Sequence, residues 1–323
     1  MKKLLGYSFI FIINYLLISL IVFSFSYISL INNQTYDLLW VKYIQKKLYF
    51  NGMRKLWNID QNCSTYDKDL LYAPVIGECI FSNPEFTTKL NFDENRRLNL
   101  VDDYIDEEEK VIATLGDSLT MGWGVNNDET YSFNLQKLIN KKVINLGVAS
   151  YGTIREIKRL KLNKYYDQID TILIQYHLND IYENKTLDIN KTYLKSDYEK
   201  YFSDKNSQQD FPVFLLKNYK KSLRLLFSHL KDIIYNNKET HNLTEHLKYL
   251  EDIISNYLKE DNKKVIVFLI KEPYQKFIFD YEIKNFKFSI INTKKDHFFI
   301  IDDHLNKLGH KYISQKLFDY LSK

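Results

Sequence analysis

The chain is short of the residues that make tight turns, with 9 glycines and 4 prolines among 323 residues. Lys, Asn, Ile and Tyr are abundant instead, a bias of composition that carries no function by itself. The formal net charge is only +4, and no dense basic patch with interleaved aromatics occurs, so nucleic acid is not an expected partner. There are 2 cysteines, Cys63 and Cys79, and no histidine or further cysteine is spaced with them as zinc ligands. No metal or cofactor is therefore expected, whereas an even cysteine count on an exported domain suggests one disulfide. Internal repeats are missing too. A chain that is 45% hydrophobic can still bury one substantial core.

Charge is absent from Leu4 to Gln34, a run rich in Leu, Ile and Phe that is long enough to cross a bilayer as a helix. An Ala-x-Ala cleavage site is also absent, so residues 1–34 are expected to be an uncleaved, single-pass anchor. Lys2 and Lys3 on one side are nearly balanced by Lys42, Lys46 and Lys47 on the other, so charge does not fix the orientation. We expect the following domain on the periplasmic or extracellular side. Tyr36 to Trp57 reads as a juxtamembrane helix, with Trp40, Tyr43, Tyr49 and Trp57 suited either to an interface belt or to ordinary packing against the domain. Residues 35–110 as a whole read as a juxtamembrane and lead-in region, acidic from Asp102 to Lys110.

The chain is organised around Val111-Ile-Ala-Thr-Leu-Gly-Asp-Ser-Leu-Thr-Met-Gly-Trp-Gly124. An apolar β-type run breaks at Gly116 and delivers Asp117 and Ser118 at the turn. Open α/β sheets keep their sites at the carboxyl ends of strands. The Lys and glycine spacing of a phosphate-binding loop are lacking. Further strands are expected at Val143–Leu146, Thr171–His177, Val265–Ile270 and Phe298–Ile301. Helices are expected from about Asn126 to Asn140, at Ile154–Leu162, and after His304 at the C-terminus. Strands alternating with helices argue for a five-stranded parallel sheet in an α/β fold. A helical insertion at about 182–262, with helices near Phe214–Tyr235 and Asn242–Lys259, interrupts the pattern.

In a parallel sheet the loops after these strands meet at one edge. Ser118, Asn179, Asp302 and His304 then converge as a nucleophile, an oxyanion donor, an orienting acid and a base, the parts needed for acyl transfer. His310 is the alternative base. His177, before the Asn-Asp pair, is expected to be a satisfied buried histidine, with lining the pocket as its alternative, and His297 is expected to be structural.

Four blocks now resemble the SGNH (GDSL-type) hydrolases: Gly116-Asp-Ser-Leu-Thr, Asn145-Leu-Gly-Val-Ala-Ser-Tyr-Gly, Leu178-Asn179-Asp180, and Asp302-x-His304-Leu-Asn-x-x-Gly-His310. Phe81-Ser-Asn-Pro-Glu-Phe86, Met121-Gly-Trp-Gly-Val125, Ser150-Tyr-Gly-Thr153 and Gln175-Tyr176 also look like a bacterial membrane-anchored group within that superfamily. The resemblance implies a three-layer α/β/α, flavodoxin-like domain over residues 111–323. It makes Ser118 the nucleophile, His304 the base and Asp302 its orienting carboxylate. Ser118, Ser150 and Asn179 would form the oxyanion hole.

Two departures stand out. Ser150 occupies a position where the family usually has glycine, leaving Gly147 and Gly152 as neighbours able to donate. The usual acid, three residues before the histidine, is replaced by Ile301, so Asp302 and Asp303 compete for the role. The Asp-x-His spacing resembles members acting on polysaccharide O-acetyl groups. The expected activity is that of a membrane-anchored serine esterase or acyltransferase on O-acetyl groups of cell-surface glycans. The alternative is a non-catalytic glycan-binding or assembly module that keeps the fold.

Overall fold

The computed structural model describes residues 2–99, 105–106, 109–206, 213, 215–220, 239–259 and 262–322. Helix α1 (Lys2–Ile31) is followed by α2 (Leu39–Leu48), which folds back against it. Gln45 locks the pair: its Nε2 donates to Ser29 Oγ at 2.8 Å and to the Gln34 carbonyl at 2.9 Å. Tyr7–Ile31 is long and apolar enough to span a membrane, with mean hydropathy 2.3, although a signal sequence passes the same test.

Two antiparallel hairpins occupy the stretch that the sequence marks only as a lead-in. They pair β1 (Ser64–Asp67) with β2 (Leu71–Pro74), and β3 (Gly77–Asn83) with β4 (Phe86–Phe92). A disulfide joins Cys63 to Cys79, with Cα atoms 5.2 Å apart. Trp57 is fully buried beside it, and Tyr49 is buried too, so neither belongs to an interface belt. Most of the expected acidic lead-in lies outside the described residues.

The main sheet contains β5 (Val111–Leu115), β6 (Val143–Asn145), β7 (Ile169–Tyr176), β9 (Lys264–Lys271) and β11 (Lys287–Asn292), all parallel, in the order β11-β9-β7-β5-β6. β8 (Glu239–Asn242) and β10 (Gln275–Ile278) form a separate parallel pair. Alternation along the strands builds two cores. Ala113, Ile172, Ile174 and Val267 face a layer holding α5 (Thr153–Lys161) and α8 (Thr244–Tyr257). Ile112, Leu173, Ile266 and Phe268 face α4 (Tyr131–Ile139) and α9 (Lys307–Leu321). Near-continuous apolar strands with both faces covered are what parallel pairing demands.

The fifth strand is not where the sequence suggests. Phe298–Ile301 is a loop, and Lys287–Asn292 takes the sheet edge. The reason lies in hydrogen bonding. The N–H groups of Ile300, Ile301 and Asp302 donate to the Glu85 carboxylate, and that of Phe299 to the His304 carbonyl, so none remains for a strand partner. Within the expected insertion, α6 (Asp180–Asn184), α7 (Lys195–Asn206) and α8 are described. The expected helix at 214–235 lies mostly outside the described residues.

Candidate active site

β5 ends at Gly116, whose φ of +152° and tight surroundings admit no side chain, since a Cβ there would sit 2.0 Å from Thr120 Oγ1. Asp117 then caps a short helical turn, α3 (Ser118–Met121), by accepting from the Leu119 N–H at 2.9 Å. The loop after this turn is pinned from below by buried Arg97, which donates to the carbonyls of Met121, Gly122 and Val125. Ser118 is thereby presented at the carboxyl edge of the sheet.

Ser118 Oγ lies 2.7 Å from His304 Nε2. His304 Nδ1 lies 2.5 Å from Asp302 Oδ1, which also accepts the His304 backbone N–H at 3.0 Å. A neutral imidazole protonated on Nδ1 satisfies both contacts, leaving Nε2 to accept the serine proton. Asp303 also approaches Nδ1, at 3.2 Å, but its side chain is 45% exposed while that of Asp302 is fully enclosed. Of the two competing acids, Asp302 makes the shorter and drier contact. Burial alone would lower the His304 pKa, but Asp302 and Asp303 outweigh it and raise the value to about 9. Asp302 moves the other way: burial opposes ionisation, yet His304 and Arg54 hold it below the usual carboxylate range.

Asp302 has further partners on its second oxygen. Tyr49 OH and Trp123 Nε1 both donate to Oδ2, the latter at 3.2 Å. Arg54 Nη2 lies 3.3 Å from Asp303 Oδ1, with its guanidinium over the Trp123 ring. Glu85, at the tip of the β3–β4 hairpin, accepts the backbone N–H groups of Ile300, Ile301 and Asp302 at 2.6, 2.9 and 2.8 Å. Glu85 and Trp123 stand inside motifs quoted from the sequence. The sequence reads Tyr49 only as an interfacial or packing aromatic and gives Arg54 no role, because nothing local marks an early tyrosine or arginine as a neighbour of residue 302.

A cavity of about 290 Å³ opens over the serine and includes Ser150, Asn179 and His304 in its lining. The N–H groups of Ser118 and Ser150 and the Nδ2 of Asn179 meet no acceptor among the described residues. Asn179 Oδ1 is instead engaged by His177 Nδ1 at 2.6 Å. Ser150 has φ +63°, so the backbone keeps the left-handed form that favours glycine although the residue is serine. Of the two readings of His177 the second holds: it is partly exposed and lines the cavity. His297 is buried and structural, accepting the Lys294 N–H on Nδ1. His310 is also buried: its Nδ1 accepts the Tyr131 N–H at 3.1 Å, and burial lowers its pKa to about 3, so it does not reach the site.

Asp302, Asp303 and His304 are the one group among the described residues whose ligand atoms converge as a cation would need. These are the same atoms that already join His304 to its acids.

A family model of the GDSL-like lipase/acylhydrolase matches residues 112–317. No curated protein sequence matches the chain. Among solved structures, the chain is similar to AlinE4, an SGNH-hydrolase family esterase, at 15% identity and TM-score 0.27 over 51% of this chain and 60% of that one. It is also similar to an acetyl xylan esterase, Est2A, from the rumen bacterium Butyrivibrio proteoclasticus, at 12% identity and TM-score 0.36 over 68% of this chain and 65% of that one. The chain thus spans less than two thirds of the length of either.

Proposed function

The chain belongs to the GDSL-like lipase/acylhydrolase family, and from that premise we propose a membrane-anchored serine esterase or acyltransferase working through Ser118, His304 and Asp302. The observation that carries this reading is the unbroken contact chain from Ser118 Oγ through His304 to Asp302 at 2.7 and 2.5 Å. In the proposed reaction His304 Nε2 takes the proton from Ser118 as Oγ attacks the ester carbonyl. The Ser118 and Ser150 N–H groups and the Asn179 amide receive the oxyanion. The intermediate collapses as His304 returns the proton to the departing alcohol, leaving an acyl-serine. Water or a sugar hydroxyl, deprotonated by the same histidine, then releases the acid or the new ester.

The cavity supports a small acyl group on a polar alcohol. Its volume of about 290 Å³ lies at the low end for ligand sites, and Arg54, His177, Asn179, Glu272, Gln275 and Asp303 line it with hydrogen-bonding groups. O-acetyl groups of cell-surface glycans fit that lining. The Cys63–Cys79 disulfide and the apolar α1 support an exported domain on a membrane anchor. The rival binding-module reading drew on Ser150 and the altered acid spacing. Both features are accommodated: Ser150 adopts the glycine-like backbone, and Asp302 reaches His304 from the shifted position.

The test is a fluorophosphonate probe on the full-length protein in detergent, with the adduct mapped by mass spectrometry. A single adduct on Ser118, abolished by His304→Ala, is expected. No adduct on the folded protein overturns the reading.

A further inference from the structure

The apolar helix is not a tether with the domain hanging from it. One stripe of α1 (Ser19, Phe23, Ser26 and Leu30) is buried against protein. Phe23 and Leu30 share an apolar cluster with Ile44, Leu48, Tyr49 and Ile301, the residue next to Asp302. A bilayer core takes about 20 helical residues, so a span counted from Tyr7 ends near Ser26, level with this cluster. Meanwhile the opposite face of α1 stays apolar and exposed at Phe25, Ile28 and Ile31.

A second segment meets α1 at this level. The Tyr219 ring packs on Phe23 with centroids 5.6 Å apart, and its hydroxyl lies 3.3 Å from Ser19 Oγ. On the same segment Val213 and Leu216 are 55% and 57% exposed, with Lys217 and Lys220 following them. α2 repeats the pattern, with Leu38 and Phe50 exposed at its ends and Lys46 and Lys47 in its last turn. Exposed apolar side chains rimmed by lysines match a bilayer surface with anionic head groups. The catalytic-type cavity adjoins this face: Arg54, which lines it, sits 4.9 Å over the Phe50 ring, and Lys46 is within electrostatic reach of Glu272, another lining residue.

We propose that α2, Val213 and the 215–220 segment form a membrane-seating face, which holds the Ser118 cavity in the head-group layer and supplies it with esters borne by an amphiphile in the same leaflet. This rests on the anchor and esterase readings above.

Because both cysteines are bonded to each other, Leu216→Cys creates a single labelling site in the full chain. Leu162→Cys serves as the control, since α5 starts beside Ser150 and ends there at the opposite sheet edge. The variants carry an environment-sensitive fluorophore in vesicles of phosphatidylcholine and phosphatidylglycerol. The Leu216 label is expected to shift to the blue and be quenched by a nitroxide lipid, and the Leu162 label to stay water-like. A water-like Leu216 label on protein that floats with the vesicles overturns the seating face, whereas protein that does not float overturns the anchor reading beneath it. For the substrate half, an acetylated glycolipid in the vesicles should turn over at least ~10-fold faster than its free head group, by effective concentration. Leu216→Asp should erase that preference while leaving p-nitrophenyl acetate turnover unchanged. Equal rates in the unmodified protein overturn the substrate half, and loss of p-nitrophenyl acetate turnover in the unmodified protein overturns the esterase reading instead.

Discussion

Trp123 lies flat on His304, with ring centroids 4.7 Å apart and planes inclined by 15°, while its Nε1 donates to Asp302 Oδ2. One indole therefore sets the plane of the imidazole and fixes the carboxylate behind it. Trp123→Phe keeps the ring contact and removes the donor. Losing one hydrogen bond to a charged group should lower kcat by roughly 10-fold with KM little changed. Steady-state kinetics on p-nitrophenyl acetate check this, and Trp123→Ala should cost more.

The two acids near His304 should separate under mutation. Asp302→Asn removes the enclosed charge beside Nδ1, lets the imidazole take the wrong tautomer, and should cost on the order of 10⁴-fold in kcat. Asp303→Asn touches the more exposed contact and should cost about 10-fold or less. Equal losses from the two changes would assign the orienting role wrongly.

Activity should rise with alkalinity. With its pKa raised to about 9, His304 is mostly protonated at neutral pH, so under the proposed mechanism kcat/KM should climb with pH and level off above about 9. Asp303 is one of the groups raising that value, so Asp303→Asn should move the climb to lower pH. The stability contribution has the opposite trend: the folded pKa exceeds the unfolded one, so the gain is complete below about 6.5 and is lost as pH rises through about 9. Thermal melts from pH 6 to 10 read the second effect independently of turnover.

Glu85 shapes the loop carrying Asp302 without approaching the serine. Glu85→Ala leaves three backbone donors without their acceptor and should destabilise the fold by about 2 kcal/mol while slowing fluorophosphonate labelling of Ser118. Glu85→Gln, which retains an acceptor oxygen, should recover part of both losses. A melt and a labelling time course together distinguish positioning from simple unfolding.

Ser150 is exposed and left-handed, so its cost is backbone strain and not packing. Ser150→Gly should be as stable as the parent or gain up to about 1 kcal/mol, with activity retained. Ser150→Val, branched at Cβ, should melt lower than both. Differential scanning calorimetry decides it.

Much of this arrangement was legible before the fold was known. The strand entering Gly116, the loop carrying Asn179 and the pair Asp302 and His304 are local signals, and parallel topology brings them to one edge. What escaped was non-local. Phe298–Ile301 looks like a strand because it is apolar and short, and only a distant glutamate explains why its backbone is not in a ladder. Lys287–Asn292, the real edge strand, is half exposed and alternates weakly, so it gives little periodicity to read. Tyr49 read as an interfacial aromatic because its sequence neighbours are lysines and aromatics, while its partner lies near the other end of the chain. The β3–β4 hairpin falls in a stretch that the sequence marks only as a motif.

The Glu85 clasp and the Tyr49 hydroxyl also govern when the site can exist. Tyr49 is 253 residues from Asp302 in sequence, Glu85 is 217, and Ser118 is 186 from His304. Contacts of such span close late, because each must first overcome the entropy of a long loop. During synthesis, Tyr49, Arg54 and Glu85 all emerge long before the loop they will hold. Ser118 meets His304 only after the loop at 298–304 has been made and has closed on Glu85, so that contact is among the later ones to form.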